Sequence, residues 1–158
     1  MTKEDLANYE VKWRDPITFM YKGHKIISMP PPSSGGICLA QILKSIAPFN
    51  IEQYPHNSTQ YIQLIAEAER RAYADRSYFL GDPDFVNIPT DSLMSKNYLS
   101  KRMSDFNWEK ATQSSALFRG SIPGYESDET THYSIVDPFG NSVAVTTTLN
   151  AAYGSKVY

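Results

Sequence analysis

The chain has 158 residues and a formal net charge of −2 at neutral pH, with 41% hydrophobic and 20% charged residues. This length is sufficient for one ordinary domain, and the apolar content argues against an intrinsically disordered protein. The chain has no basic excess to neutralise phosphates, which disfavours a nucleic-acid-binding protein. A single cysteine, Cys38, excludes an internal disulfide framework.

The N-terminal part of the chain predicts a short helix and a β-hairpin. Thr2 and Asp5 have the spacing of a capping box, and Lys22-Gly23 lies between two β-rich runs as a tight turn. Prolines at 30–32 end the second strand because proline has no N–H for the ladder. The predicted elements are helix 3–8 and strands 17–21 and 24–29.

A buried helix is predicted after these prolines. The run from Ile37 is apolar on most faces, serines at 33–34 suit its start, and Pro48 ends it. The backbone N–H groups of residues 33–36 are a candidate anion site, but the lysine and spacing of a P-loop are lacking. Simple helix capping is the favoured interpretation.

The next helix has the clearest pattern, and Asn57 or Ser58 can cap it. Glu67 with Arg71, and Arg71 with Asp75, have i,i+4 spacing, which we interpret as a solvated helix face. The predicted apolar stripe, including the two residues that widen it, consists of Tyr61, Ile62, Leu64, Ile65, Ala68 and Ala72.

The remaining elements are a third helix, a linker and a second hairpin. The third helix begins at Asp91 or Ser92 and continues through Leu93, Leu99 and Met103. Residues 110–129 are rich in Ser, Thr, Gly, Pro and Gln without periodicity, which predicts a flexible linker. Two β-rich runs around a Pro/Gly turn predict the hairpin, at 130–137 and 141–150.

Residue patterns alone point weakly to chemistry. The three histidines, His24, His56 and His132, are scattered, and neither HExxH nor paired CxxC spacing occurs, so we predict no metal site. Cys38 is expected to be a small core residue. The acidic residues at 82 and 84 flank a proline, and we expect them to shape a loop. Thr130 begins a predicted strand, where β-propensity explains a threonine.

Six segments together resemble the γ-glutamyltranspeptidase family, the glutathione hydrolases, which are N-terminal-nucleophile hydrolases. The resemblance covers almost the whole chain and is specific as a set, although each segment alone is weak. The segments are TKEDLANY from Thr2, MPPPSSGG from Met29, AEAERRAYADRS from Ala66, LGDPDF from Leu80, TTHYSIVD from Thr130 and GNSVAVTTTLN from Gly140.

The resemblance implies a precursor that cuts itself between Glu129 and Thr130. Thr130 would then be the catalytic nucleophile, with its own α-amine as the base that a weakly acidic hydroxyl needs. The implied substrates are glutathione or other γ-glutamyl compounds, and the acceptors are water, amino acids or dipeptides. No cofactor is implied.

The same resemblance assigns two further site residues. Thr148 matches the threonine that orients the nucleophile, and Asn150 matches an asparagine that binds the glutamyl group of the substrate. Both lie on one face of a strand because side chains alternate with period two. Thr131 is the competing nucleophile, and alternation directs it to the opposite face.

The implied fold is α+β, part of a four-layer αββα sandwich in which helices accompany a C-terminal β-hairpin. Residues 1–129, with 110–129 as the linker, would end the large-subunit region, and 130–158 would begin the small-subunit region. The family's carboxylate-binding arginine, its later substrate contacts and its oxyanion-hole glycines match no segment here. We therefore expect the chain to be a fragment, inactive without the remainder of the enzyme.

Two alternatives stay open. One is a non-catalytic scaffold or interaction module with the same fold. The other is a related N-terminal-nucleophile amidase with a different acyl preference, such as a poly-γ-glutamate or cephalosporin acylase. The family also implies a periplasmic or secreted parent protein.

Overall fold

The computed structural model describes residues 2–122, together with the backbone of two later strands, 133–136 and 142–145. This part of the chain forms helices and two antiparallel hairpins, in agreement with the predicted α+β class. The αββα layering stays a prediction. In chain order the elements are α1 (Lys3–Ala7), β1 (Ile17–Tyr21), β2 (His24–Ser28), α2 (Gly35–Ile46), α3 (Thr59–Phe79), α4 (Thr90–Leu93), α5 (Lys96–Arg102), β3 (Tyr133–Val136) and β4 (Ser142–Val145).

The N-terminal predictions are confirmed. The Thr2 side chain accepts from the Asp5 N–H, and the Asp5 carboxylate accepts from the Thr2 N–H, which completes the capping box of α1. Strands β1 and β2 pair antiparallel. Both turn residues, Lys22 (φ 46°) and Gly23 (φ 82°), are left-handed. Positive φ at both central residues matches the twist of a two-residue hairpin.

Helix α2 packs against β1 and α3 to form the first part of the core. Gly36 permits this close approach, because a Cβ at that position would lie 2.8 Å from the Cβ of Ile17 and closer still to the Met29 carbonyl oxygen. The buried members of this cluster are Ile17, Phe19, Ile37, Ala40, Phe79, Leu80 and Leu93. The prediction of a buried helix is therefore confirmed.

Helix α3 begins as predicted, with the Ser58 hydroxyl accepting from the Tyr61 N–H at 3.3 Å. Leu64 is fully buried, but the prediction that Ile62 belongs to the buried stripe is wrong, because its side chain is 53% exposed. The second core cluster consists of Ile46, Leu64, Ala68 and Met103.

The predicted third helix is two helices. Helix α4 ends at Leu93, and Ser95 takes extended backbone angles (φ −71°, ψ 142°). The Ser95 hydroxyl accepts from the Tyr98 N–H at 3.3 Å and so caps α5. A serine that bonds the backbone in this way favours a new helix start over helix continuation.

No helix in the described ranges has both the length and the apolar character needed to cross a lipid bilayer.

Candidate functional site

The predicted catalytic and substrate-binding residues lie outside the described residues. These are Thr130, Thr148 and Asn150, together with the competitor Thr131. The described backbone between them forms the predicted hairpin, in which Tyr133 pairs with Val145 and Val136 with Ser142. The hairpin and its register are therefore known, and the three site residues stay predictions.

The described residues include a buried polar stripe on α3. Glu67, Arg71 and Asp75 have exposed fractions of only 3%, 3% and 1%. Our interpretation of them as a solvated face is wrong. They repeat at i+4 and lie on the same helix face as Leu64 and Ala68, so they turn towards the core and not towards solvent.

Glu67 and Arg71 form the first network of this stripe. The Glu67 carboxylate accepts from the Arg71 guanidinium and, at 3.0 Å, from the Thr112 N–H. Arg71 also donates to the Asp105 carboxylate at 2.7 Å and to the carbonyl oxygen of Arg102 at 2.8 Å. Burial would raise the pKa of Glu67, but these hydrogen bonds with Arg71 and Thr112 lower it overall.

Asp75 forms the second network, which does not include the predicted pair with Arg71. Its Oδ1 accepts from the Gly120 N–H at 2.8 Å and lies 3.1 Å from a guanidinium nitrogen of Arg102. Its Oδ2 accepts from the Gln41 amide at 3.0 Å and from Arg102 Nε at 3.3 Å. Burial raises the pKa of Asp75 above its ordinary value, against the opposing effects of Arg102, Gly120 and Gln41.

Gly120 fits this network because it has no side chain. A Cβ there would lie 2.6 Å from the Tyr98 Cζ and 2.8 Å from the Arg102 Cδ, and closer still to the Tyr98 hydroxyl. Burial and the neighbouring Asp75 carboxylate raise the pKa of that hydroxyl, so Tyr98 stays neutral. The backbone at residue 120 is thus packed between α3 and α5.

The two networks attach one segment to α3 at two points. Thr112 is bound by Glu67, and Gly120 is bound by Asp75, so most of the described part of the predicted linker runs along this helix. These groups bind and orient backbone. The division into subunit regions at residue 129 stays a prediction.

Cys38 and Ser34 have structural roles in the described chain. Cys38 is buried, and burial raises the pKa of its thiol to about 11, which agrees with the predicted core role. The Ser34 hydroxyl accepts from Arg76 Nε at 2.8 Å, while Ser33 Oγ accepts from the Gly35 N–H. Among the described residues, no group of three or more His, Cys, Asp or Glu side chains is arranged to hold a metal ion.

An open cavity of about 950 Å³ is lined by residues of the segments 9–16 and 27–33 and by the two aspartates of the loop after α3. Asp84 on that loop accepts from Arg14 at 2.8 Å and from Lys12 at 2.6 Å. The Asp82 carboxylate accepts from the Asp84 N–H at 3.0 Å, so the acidic pair shapes a loop as predicted. Hydrogen bonds from Arg14 and Lys12 lower the pKa of Asp84 to about 2.

Sequence reasoning missed the roles of Asp75, Arg102 and Gly120. A signal for Asp75 was present, because it lies at helical spacing from the apolar Ala68 and Ala72, which predicts burial as well as salt bridging. Its partners are 27 and 45 positions away along the chain. Local spacing cannot identify partners at such separations.

Comparison with known proteins gives consistent matches. A family model described as Gamma-glutamyltranspeptidase matches residues 1–158. Glutathione hydrolase proenzyme of Escherichia coli (strain K12) is 48% identical over 157 residues, covering 99% of this chain. Acylase ACY 1 proenzyme of Pseudomonas sp. (strain SE83) is 38% identical over 153 residues, covering 97% of this chain. The chain spans 27% of the length of each of these two relatives.

A solved structure gives the same result for the fold. The crystal structure of Helicobacter pylori gamma-glutamyltranspeptidase matches with a TM-score of 0.74 and 44% sequence identity. The match covers 80% of this chain and 36% of that chain.

Proposed function

We propose, since the chain belongs to the γ-glutamyltranspeptidase family, that it is the junction region of a γ-glutamyltransferase or glutathione hydrolase precursor. In this proposal Thr130 is the nucleophile, Thr148 orients it and Asn150 binds the γ-glutamyl group. The relatives' designation as proenzymes supports a precursor that is cut. The likeness to the H. pylori enzyme supports a place in the αββα sandwich.

The register of the second hairpin carries the assignment of the site. Moving outward by three residues on each strand from the Tyr133–Val145 pair reaches Thr130 on one strand and Thr148 on the other. In a ladder continued this far they would be direct cross-strand neighbours on one face, with Cβ atoms about 4.5–5.5 Å apart. Asn150 would follow on the same face, and Thr131 would point to the other.

This arrangement suits self-cleavage. The Thr130 hydroxyl attacks the Glu129 carbonyl carbon, the peptide C–N bond breaks, and an ester forms with release of the Thr130 α-amine. Water then hydrolyses the ester and leaves Glu129 as a free carboxylate. The hydroxyl proton passes to the departing nitrogen, and the α-amine that cleavage releases has an ordinary pKa of about 7.7–8.0, so near neutral pH a useful fraction can act as base in the later acyl transfer.

The same groups then perform acyl transfer. The Thr130 hydroxyl attacks the γ-carbonyl of glutathione or another γ-glutamyl amide, and the amine leaves with a proton. Water or the amine of an amino acid or dipeptide resolves the acyl-enzyme ester and regenerates the hydroxyl. Thr148 would hold the hydroxyl oxygen in line for both steps, and Asn150 would hold the glutamyl group.

The chain needs the remainder of the enzyme for this activity. A family site also requires an arginine for the substrate carboxylate and glycine N–H groups for the oxyanion, which match no segment here. Loss of a single oxyanion donor lowers a rate by about 10²–10³-fold. We therefore propose that the 158-residue chain is inactive by itself.

Hydrolysis of a γ-glutamyl anilide by the full-length precursor tests the assignment. We expect Thr130→Ala to abolish self-cleavage and hydrolysis, while Thr131→Ala retains both because strand alternation predicts its side chain on the other face. Asn150→Ala should raise KM for the anilide by a larger factor than that by which it lowers the rate of self-cleavage, because Asn150 is proposed to bind the substrate. Loss of activity in Thr131→Ala with retention in Thr130→Ala would assign the nucleophile to Thr131.

A second candidate is an N-terminal-nucleophile amidase with another acyl preference. The observation that favours it is the 38% identity to an acylase proenzyme over nearly the same residues. A panel of γ-glutamyl amides, poly-γ-glutamate and cephalosporin side-chain amides separates the two functions by kcat/KM. A full-length protein that stays uncut and acts on none of them would be the non-catalytic scaffold.

We also propose that the parent protein is periplasmic or secreted, as expected for the family. Fractionation of cells that express the full-length protein tests this, and recovery only with cytoplasmic markers would contradict it.

A further inference from the structure

An exposed tryptophan lies on the segment between α1 and β1. Trp13 is 98% exposed, and Val11, two residues before it, is 77% exposed. A tryptophan side chain carries a large apolar surface, and burial of such surfaces dominates the energetics of cores and interfaces. A tryptophan that its own chain leaves open, close to a second open apolar side chain, therefore marks a candidate interaction surface.

The side chains of this segment alternate between two directions. Lys12 and Arg14 both donate to the Asp84 carboxylate, at 2.6 and 2.8 Å, and both line the open cavity described above. Val11 and Trp13 do not line that cavity and are open to solvent. Alternation with period two is the pattern of an extended strand, in which Val11 and Trp13 share one face. The bonds to Asp84 determine which face of the segment is turned outward.

The backbone of this segment has open hydrogen-bonding groups. No backbone hydrogen bond joins residues 9–15 to another part of the chain that the structure describes. Among the described strands, β1 and β2 pair with each other and with no third strand, and an isolated two-stranded sheet is marginally stable in water. An open row of N–H and C=O groups can accept an added strand, whose side chains then contact alternate residues.

We propose that residues 9–15 pair with a β-strand from the part of the full-length precursor that lies outside this chain, and that an apolar side chain of that strand covers Trp13. The chain spans 27% of the E. coli proenzyme, and its match covers 36% of the H. pylori structure, so most of either protein is available to provide the strand. Since the two cations already bind Asp84, the added strand needs β-branched or aromatic residues opposite Val11 and Trp13, and no acidic ones. This inference requires a longer precursor but not the catalytic residues proposed above.

The first test compares the two tryptophans of this sequence within the full-length protein. Trp108 is the internal control, because its ring is half-buried and packs against Phe49, Tyr54 and Phe106, with ring centroids between 4.8 and 6.0 Å apart. The protein is oxidised briefly with hydroxyl radicals, and peptide mass spectrometry gives the rate at each tryptophan. The exposed fractions within this chain alone predict faster oxidation of Trp13, whereas the added strand predicts that Trp13 reacts no faster than Trp108.

The second test measures the backbone of the same segment by hydrogen exchange of the full-length protein. Antiparallel or parallel pairing with one added strand protects alternate residues, so about half of the amides of 9–15 should exchange slowly. Trp13→Ser should speed this exchange by about tenfold or more, because it removes a large buried side chain, and Trp13→Phe should retain most of the protection. Phe118→Ser is the matched control: Phe118 is also exposed, at 70%, but lines a different cavity, so exchange at 9–15 should not change.

The outcomes also separate this inference from the proposed function. Oxidation of Trp13 faster than Trp108, or fast exchange at all amides of 9–15, would overturn the added strand. Protection of Trp13 that appears only as the protein concentration rises would assign the cover to a second copy and overturn it as well. A precursor that is cut at Glu129–Thr130 but has an open Trp13 contradicts this inference alone, and an uncut precursor with a protected Trp13 contradicts the proposed function alone.

Discussion

Two carboxylates of this chain, Asp75 and Asp84, each bind an arginine, yet they differ in burial and in the direction in which their pKa values are shifted. Asp75 is 1% exposed and accepts from donors on α2, on α5 and at Gly120. The Asp84 side chain is 31% exposed and accepts from Lys12 and Arg14 on one segment. Burial raises the pKa of Asp75, whereas hydrogen bonds from these two cations lower the pKa of Asp84 to about 2.

The comparison shows that an ion pair cannot be interpreted from its distances alone. The Arg–Asp distances are similar, 3.1 Å at Asp75 and 2.8 Å at Asp84. In the core, desolvation opposes the charged form of Asp75 and offsets much of the attraction within the pair. Removal of one partner is nevertheless costly, because it leaves the other charge buried without a counter-ion. At the surface, water and salt screen the pair, and its contribution to stability is small.

The largest expected effect comes from removal of the buried arginine. Arg102→Ala leaves the Asp75 carboxylate without its cation, and loss of one partner of a buried pair costs about 3–5 kcal/mol. Urea unfolding of the full-length precursor, held uncut by Thr130→Ala, measures the change. Arg14→Ala is the matched control, since it removes the same side chain from the exposed cluster. Equal losses of unfolding free energy in the two variants would contradict the distinction between the buried Asp75 network and the exposed Asp84 ion pairs.

A methyl group at residue 120 should have an intermediate effect. Gly120→Ala places a Cβ against Tyr98 and Arg102, and such overpacking costs about 1–3 kcal/mol. Gly35→Ala is the control, because a Cβ there meets only Ser33 Oγ at 3.4 Å. Thermal unfolding of the same precursor compares them. A Gly120→Ala variant as stable as Gly35→Ala would show that the 120 backbone is not packed as described.

The smallest expected effect is the pH dependence of stability that the exposed Asp84 carboxylate causes. Because the pKa of Asp84 is lowered from 3.8 to about 2, its contribution to stability is present above pH 3.8 and is lost as the pH falls towards 2. The raised pKa of Asp75 has the opposite sign, so its contribution falls as the pH rises above 3.8. Carboxyl NMR titration should give a midpoint near 2 for Asp84, and Arg14→Ala should move it towards 3.8. A midpoint already near 3.8 in the unmodified protein would contradict the ion pair.

Local signals were sufficient to predict most helices and strands of the described chain. The capping box of Thr2, the Lys22-Gly23 turn and the Ser58 cap act within three or four residues, so sequence spacing identifies them. The break at Ser95 was missed because a serine inside an apolar pattern is compatible both with a continuous helix and with a new cap. The hairpin was predicted from its β-rich runs, and its strands pair as expected.

The buried polar stripe was not predicted, because its meaning depends on distant partners. Glu67 and Arg71 have the spacing of an exposed i,i+4 pair, and contacts with Arg102, Asp105 and Thr112 cover them. Asp75 likewise becomes a core residue through Arg102 and Gly120. The family resemblance identified Thr130, Thr148 and Asn150, which stay predictions.

The most direct test of the central claim is the N-terminal sequence and intact mass of the smaller product formed by the purified full-length precursor. We predict a product that begins Thr-Thr-His-Tyr at Thr130, and a Thr130→Ala precursor that stays intact under the same conditions. A product that begins at another residue, or a Thr130→Ala precursor cut as fast as the wild type, would contradict the account.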